Sequence, residues 1–312
     1  MGTIIDHATV TAGSRHNRRS ALRLAVVTAK ACLDEAGCSP SELDLLINTG
    51  IYRDRDLGEP ALAALIQEDI GANPEDPHAG AHGTFSFDIA NGVCGPLTAL
   101  HVIDGFFRSG SVHRALVVAS DADPGYSIAP DFPYAAVGGA LLCGWADDDS
   151  GLHAYTWANF PDGGDSCRTI VSYEHGRNRM RIEASDAADE LFAAAASKVA
   201  GECLDSASID PGALDLIVAA PAHAGFIAAL ASHLSVPVER MAAAPNERTH
   251  TAALIAALHD ATTTGRAGAG STVLAQYNGD PVWVEQGRNM VTTFHPELTG
   301  DLRVHRRFLD KL

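Results

Sequence analysis

One cysteine in the stretch FDIANGVCGPLTALHVIDGFFRSG, Phe87 to Gly110, stands where a thiol can do chemistry. Pro96 suits the first turn of a helix, where its missing N–H costs no hydrogen bond. Leu97, Leu100, Val102, Ile103, Phe106 and Phe107 then recur at helical spacing until Gly110 ends the pattern. Cys94 therefore sits just before a helix, among unpaired backbone N–H groups and the positive end of the peptide dipoles, which favour thiolate over thiol. Gly92 and Gly95 let the chain bend sharply and let another group approach the sulfur. The pattern reads as a nucleophile elbow, and the competing reading is a small buried apolar residue, the commonest role of an unbonded cysteine.

The whole chain sets limits on that chemistry. Its 312 residues are 46% hydrophobic and 20% charged, enough for a large core built as one duplicated unit or two domains. No apolar run approaches the roughly 20 residues of a membrane helix, and the N-terminus lacks the basic-then-apolar order of a signal peptide, so a cytoplasmic protein without a membrane partner is expected. Six cysteines without tight spacing read as reduced thiols, with Cys32, Cys38, Cys143, Cys167 and Cys203 in core or incidental places. A formal net charge of −17 argues against nucleic acid as a partner, and an anionic ligand must find a local basic patch. His78 and His82 have an HxxxH spacing but lie in a Gly- and Pro-containing loop without a cysteine cluster, so no metal is assigned. GRAGAG, 265–270, precedes a strand instead of following one and reads as a connection, not a dinucleotide loop.

An internal repeat decides the architecture. AKACLDEAGCSPSELDLLI, Ala29 to Ile47, recurs in register as AGECLDSASIDPGALDLIV, Ala200 to Val218. Each copy predicts a helix, a proline turn and a short buried strand. Further strands are expected at TFSFDIA, RALVVASDA, GGALLCGWA, STVLAQYNG and PVWVEQG, and helices at 61–70, 96–109, 224–234 and 251–263, the alternation of α/β units.

These features together resemble the thiolase fold, two duplicated α/β halves in a layered α-β-α-β-α arrangement. Within it, FDIANGVCGPLTALHVIDGFFRSGSVHRALVVASD, FPYAAVGGALLCGWA, LDLIVAAPAHAGFIAALASHLSVP and ERTHTAALIAALHDA are similar to segments of the 3-oxoacyl-acyl-carrier-protein synthase III enzymes. The resemblance implies a nucleophile half at 1–165 and a histidine-bearing half at 166–312. It implies an acyltransferase or condensing enzyme of lipid or polyketide biosynthesis that takes an acyl group from an acyl-coenzyme A or acyl-carrier-protein thioester onto Cys94 and passes it to a second substrate. The thioester is a substrate, and no permanently bound cofactor is implied.

The resemblance also implies roles. His223 and His250 complete a Cys-His-His set, and the Cys94 N–H with one at Gly279 forms the oxyanion hole. Three departures accompany it: Cys94 follows Asp88 by six residues where the family has five, which puts Val93 at the ungapped position; Ala222 separates His223 from Pro221; and His250 stands where an asparagine is usual, with Asn246 upstream. Arg108, Arg114 and Arg240, with His113, form candidate docking charges for a phosphate or an acidic carrier, against the plainer reading of helix C-terminal charge. TFSFDIA, with Phe85 and Phe87 on one face, is the expected pairing edge of a homodimer or a dimer with a related chain. Two alternatives stay open: a non-catalytic thiolase-fold partner subunit, and an α/β cysteine hydrolase, which the internal duplication disfavours.

Overall fold

Strand residues at 45–48 and 115–121 are buried on both faces, as a sheet covered by helices on each side requires. The computed structural model describes residues 2–266 except 55–57, 74–82, 126, 149–150, 153–154, 157 and 207–209, together with the backbone of 272–277, 280–286 and 289–291. Its helices are α1 (Ala21–Ala36), α2 (Leu62–Ile70), α3 (Gly95–Arg108), α4 (Ala188–Ser206), α5 (Ala224–Leu234) and α6 (Ala253–Thr263). Its strands in the first part of the chain are β1 (Gly2–Ala12), β2 (Leu45–Asn48), β3 (Phe85–Asp88), β4 (Ala115–Asp121), β5 (Val137–Ala146) and β6 (Tyr155–Thr156). They are followed by β7 (Cys167–Glu174), β8 (Arg177–Ala184), β9 (Ile217–Val218), β10 (Met241–Ala242), β11 (Thr272–Tyr277), β12 (Asp280–Gln286) and β13 (Asn289–Val291).

The repeat folds twice in the same way. After α1 and after α4 the chain makes a short 3-10 turn, Pro40–Glu42 and Pro211–Ala213, before entering β2 and β9. Each turn is capped by the residue ahead of its proline: the Ser39 hydroxyl accepts from the Ser41 N–H, and the Asp210 carboxylate accepts from the Gly212 N–H. Each proline carbonyl then accepts from the leucine that leads into the strand, Leu43 or Leu214.

The main sheet has the order β1-β5-β4-β2-β3, with β2 parallel to β3 and β4, and β5 antiparallel to β4 and β1. Period-2 alternation sends Leu46, Leu116 and Val118 to one face, under α1 and α2, and Leu45, Ile47, Val117 and Leu141 to the other, against the second core. That second core holds α3 and α6 between the main sheet and β9–β10, so α6 is apolar around its circumference, with Leu254, Ile255, Ala256, Ala257 and Leu258 all buried. Toward the C-terminus β6, which precedes residue 165, pairs parallel with β11, and so the sheet β13-β12-β11-β6 spans the boundary between the sequence halves.

Two adjacent glycines bring the helices onto β5. A methyl group on Gly138 would lie 2.2 Å from Thr28 Oγ1 of α1, and one on Gly139 would lie 2.9 Å from Ile255 Cγ2 and 3.0 Å from Ile255 Cβ of α6. The Ile255 atoms sit close to their own backbone and cannot swing aside. Gly139→Val is therefore expected to cost about 1–3 kcal/mol through overpacking, measured as a lower denaturant midpoint. An unchanged midpoint contradicts this account of the α6–β5 contact.

Candidate active site

Cys94 lies at the first turn of α3, as its sequence context predicts. A 3-10 turn, Gly92–Cys94, leads directly into the helix; Gly92 has φ 52°, in the left-handed region, and Pro96 occupies the first helical turn. The bend is packed from below: a methyl group on Gly95 would sit 2.9 Å from Thr49 Cβ, so only glycine lets α3 begin this close to the end of β2. Asp88 ends β3 and fastens the same corner. Its carboxylate accepts from Asn48 Nδ2 (3.0 Å), from the Leu62 and Ala63 N–H groups that open α2 (2.9 and 2.8 Å), and from Arg53. Cys94 is half-buried, and all six cysteines are thiols. Its N–H donates to the Asn91 carbonyl at 3.0 Å.

His250 is brought to this elbow from 156 positions along the chain, and its Cε1 is 3.9 Å from where a Gly92 side chain would begin. The residue immediately precedes the turn into α6. Its backbone is held by Asp121, the last residue of β4: the His250 N–H donates to Oδ2 (2.9 Å), and the Thr251 N–H and hydroxyl donate to Oδ1 (3.1 and 2.7 Å). Asp121 is fully buried, and burial pushes its pKa up to about 6 against the opposing pull of the Thr251 hydroxyl and the His250, Thr251 and Ala252 N–H groups. Around the imidazole stand two tyrosines. Tyr134 stacks on it with ring centroids 4.2 Å apart at 19°, and the Tyr52 hydroxyl lies 3.3 Å from Nδ1. Phe132 meets Tyr52 edge-on at 5.0 Å. Burial, and then the charge of His223, push the His250 pKa down to about 4, so the ring is neutral at pH 7.

His223 precedes α5 as its N-cap residue, with its side chain 46% exposed and Nδ1 3.0 Å from Asp189 Oδ1 on α4. Its effect on His250 places the two imidazoles within electrostatic reach of one another. Ala222, between Pro221 and His223, points into the core at 4% exposure. Asn246 lies on the exposed turn before α6, where its side-chain carbonyl accepts from the Arg248 N–H. Gly279, His78 and His82 lie outside the described residues. Of the candidate docking charges, Arg108 pairs with Asp104 and covers the Trp145 ring at 5.6 Å, Arg114 pairs with Asp6, and Arg240 donates to the Gly212 and Leu214 carbonyls.

Sequence reasoning names Cys94, His223 and His250 as candidates but not Tyr52, Tyr134, Asp121 or Asp189, which surround the two histidines. Asp121 carries a signal, a carboxylate closing the apolar run ALVVAS; the tyrosines carry none. Beyond Tyr52 and Phe132, the hairpin β7–β8 adds Met180 and Ile182 to an aromatic and aliphatic cluster, and a cleft of about 480 Å³ opens beside it, lined by Ile128, Phe132, Met180, Ile182, Arg179 and Arg181 among others.

The neutral state of His250 has a measurable consequence. An unfolded imidazole takes up its proton near 6.5 and the folded one only near 4, so between these values the unfolded chain binds more protons. His250 therefore lowers stability as pH falls through that window, by at most about 3 kcal/mol. Asp121 acts in the opposite sense between about 6 and 3.8, because the folded carboxyl takes up its proton first. His250→Gln, which keeps only the Asp121 effect, is expected to gain stability relative to wild type as pH drops from about 7 to about 4.5, read from urea unfolding at both values. An equal difference at the two pH values contradicts a depressed His250.

No family model matches the chain. A beta-ketoacyl-[acyl-carrier-protein] synthase III from Aquifex aeolicus is 27% identical over 264 residues, covering 80% of this chain and 78% of that protein. Among solved structures, 3-oxoacyl-(acyl carrier protein) synthase III from Pseudomonas aeruginosa superposes with a TM-score of 0.71 at 17% identity, covering 94% of this chain and 98% of that one. Xanthomonas campestris OleA with bound lauric acid and lauroyl-CoA gives a TM-score of 0.68 at 13% identity, covering 94% and 99%. A separate, short likeness joins 43 residues, 14% of the chain, to the pyridoxal 5'-phosphate synthase subunit PdxT of Solibacter usitatus at 67% identity; the chain spans only 22% of that subunit's length. The duplicated helix–turn–strand unit, the elbow at the start of α3 and these neighbours define a thiolase fold. Over most of its length the chain is similar to synthase III enzymes.

Proposed function

We propose that the chain is a synthase III-like acyltransferase that loads an acyl group onto Cys94 from a coenzyme A or acyl-carrier-protein thioester and condenses it with a second, malonyl-type thioester. The observation that carries the reading is the neutral imidazole of His250 set against the elbow that presents Cys94. In the first half-reaction the Cys94 sulfur attacks the thioester carbonyl, and collapse of the tetrahedral intermediate expels the carrier thiolate. The first turn of α3 supplies partial positive charge at the sulfur. The Cys94 N–H, now bonded to Asn91, has to exchange that bond for the substrate oxygen to serve as an oxyanion donor, with Gly279 as the second donor. In the second half-reaction loss of carbon dioxide leaves an enolate whose oxygen takes hydrogen bonds from His250 and His223; its carbon attacks the acyl carbonyl and Cys94 thiolate departs. Asp189 accepts from Nδ1 of His223, so His223 donates to the enolate from Nε2 as the imidazolium. With an amine or alcohol acceptor, one histidine acts as general base instead.

Arg108, Arg114 and Arg240 serve as docking charges for the carrier while keeping their structural pairings. The cleft beside β8 offers Ile128, Phe132, Met180 and Ile182 to the acyl chain of a thioester, and its charges are of both signs, Arg179 and Arg181 with Asp131, Glu174 and Glu183. The similarity to beta-ketoacyl-[acyl-carrier-protein] synthase III and the lauroyl-CoA held by OleA support this substrate class. The 43-residue likeness brings no activity into the proposal. Incubation with a panel of acyl-coenzyme A thioesters, followed by intact-protein mass spectrometry, tests the reading: a single acyl increment is expected, and no increment with any donor contradicts it.

A dimer is part of the proposal. β3 is the terminal strand of the main sheet, Phe85 is 59% exposed, and its ring lies 5.3 Å from that of Phe87 on the same face. An apolar edge leading straight to Cys94 is removed from water by two-fold pairing. Sedimentation at micromolar concentration is expected to show a dimer, and Phe85→Lys to weaken it; a stable wild-type monomer that still acylates contradicts it.

A further inference from the structure

We infer that Tyr52 is a positioning residue for the reaction, donating its hydroxyl proton to Nδ1 of His250 and so fixing the imidazole in the tautomer that carries its proton on Nε2. The inference rests on the role proposed for His250 above and adds the group that makes the role possible. A neutral imidazole can donate from one nitrogen only, and the bond made by the other decides which.

The geometry supports Tyr52 as that second partner. The hydroxyl is 3.3 Å from Nδ1, and Tyr52 is 1% exposed, so the phenol has no water to bond and must spend its proton inside the protein. The Thr169 hydroxyl donates to the Tyr52 oxygen, and the Tyr134 oxygen competes with Nδ1 for the Tyr52 proton. Nδ1 is the better acceptor of the two, because an imidazole nitrogen is far more basic than a neutral phenol oxygen. The imidazole cannot turn to present its other edge, because Tyr134 stacks on one face at 4.2 Å, the Tyr52 ring lies at 5.6 Å, and Asp121 holds the backbone on either side of the residue's Cα. Phe132, edge-on at 5.0 Å, and Met180 in the same cluster fix the phenol in turn. A tyrosine buried for packing alone needs no hydroxyl, and here the hydroxyl meets the one ring nitrogen that can define the tautomer.

The test reads the tautomer directly and does not depend on turnover. Nitrogen-15 spectra of histidine-labelled protein, with His250 assigned among the 14 histidines by loss of its signals in His250→Gln, are expected to show an unprotonated Nδ1 and a protonated Nε2 at neutral pH. In Tyr52→Phe, which keeps the ring and its packing, the tautomer ratio is expected to shift toward protonated Nδ1. Discharge of preloaded Cys94 should then slow by about ten- to hundredfold in kcat with KM nearly unchanged. A wild-type ring protonated on Nδ1, or a Tyr52→Phe spectrum identical to wild type, overturns the inference whatever the enzyme's activity. Failure of the wild type to discharge any acceptor overturns the condensation reading, while the spectra still decide what Tyr52 does.

Discussion

Replacing Cys94 with alanine is expected to leave the fold intact and to abolish acyl loading, lowering turnover by at least about a thousandfold. Two effects combine. The variant has no sulfur at the elbow to accept the acyl group, so the first half-reaction has no covalent route there; of the other cysteines, Cys32, Cys143 and Cys203 are buried, and burial raises the thiols of the half-buried Cys38 and Cys167. The fold should tolerate the change, because Cys94 is half-buried and the elbow is set by Gly92, Gly95 and the Asp88 bonds and not by the thiol. Loading is measured as the intact-mass increment with a competent acyl donor. An equal increment in wild type and Cys94→Ala ends the proposal for this residue.

His250→Ala is expected to separate the half-reactions. The variant should still load Cys94, since attack on the first thioester does not call on His250, but discharge onto the second thioester should slow by about 10²–10⁴-fold. The loss is large because the imidazole supplies a hydrogen bond that matters chiefly as negative charge develops on the enolate oxygen in a water-poor pocket between Tyr134 and Tyr52. His223→Ala is expected to have the same sign and a smaller effect, because its imidazole is 46% exposed and solvent takes part of its place. Rapid-mixing of preloaded protein with acceptor, followed by acid quench and mass spectrometry, gives the discharge rates. Normal discharge in His250→Ala removes the residue from the mechanism.

Much of the fold is legible in the sequence because it is repeated there. The register of CLD, Pro and LDL in two places gives the helix, 3-10 turn and strand of both copies, and the helices expected at 61–70, 96–109, 224–234 and 251–263 correspond to α2, α3, α5 and α6. Among the strands that the same reasoning misses are β1 and the β7–β8 hairpin. In β1 a register shift between Ile5 and His7 breaks the period-2 pattern, so GTIIDHATVTA does not alternate as a strand should. The β7–β8 hairpin turns at His175 and Gly176, with φ 51° and 77°, and His-Gly lacks the Asn-Gly or Asp-Gly signature by which such turns are recognised.

The site divides along the same line. The setting of Cys94 is readable because it is local: a proline, two glycines and a helix start within a few residues. His223 and His250 emerge only by resemblance, since an isolated histidine before a helix reads equally well as a cap. Tyr52 and Asp121 act on His250 across 198 and 129 positions, and nothing local distinguishes a tyrosine that orders an imidazole from one that fills a core. Such contacts belong to the tertiary structure, where the ends of β2 and β4 meet the start of α6.

The central claim, that Cys94 carries the acyl group, is tested most directly by mapping the group on wild-type protein. The acyl-loaded chain is quenched in acid, digested and fragmented by mass spectrometry. The account predicts a thioester on the peptide containing Cys94, lost on treatment with hydroxylamine; an acyl group on another residue, or a hydroxylamine-stable linkage, contradicts it.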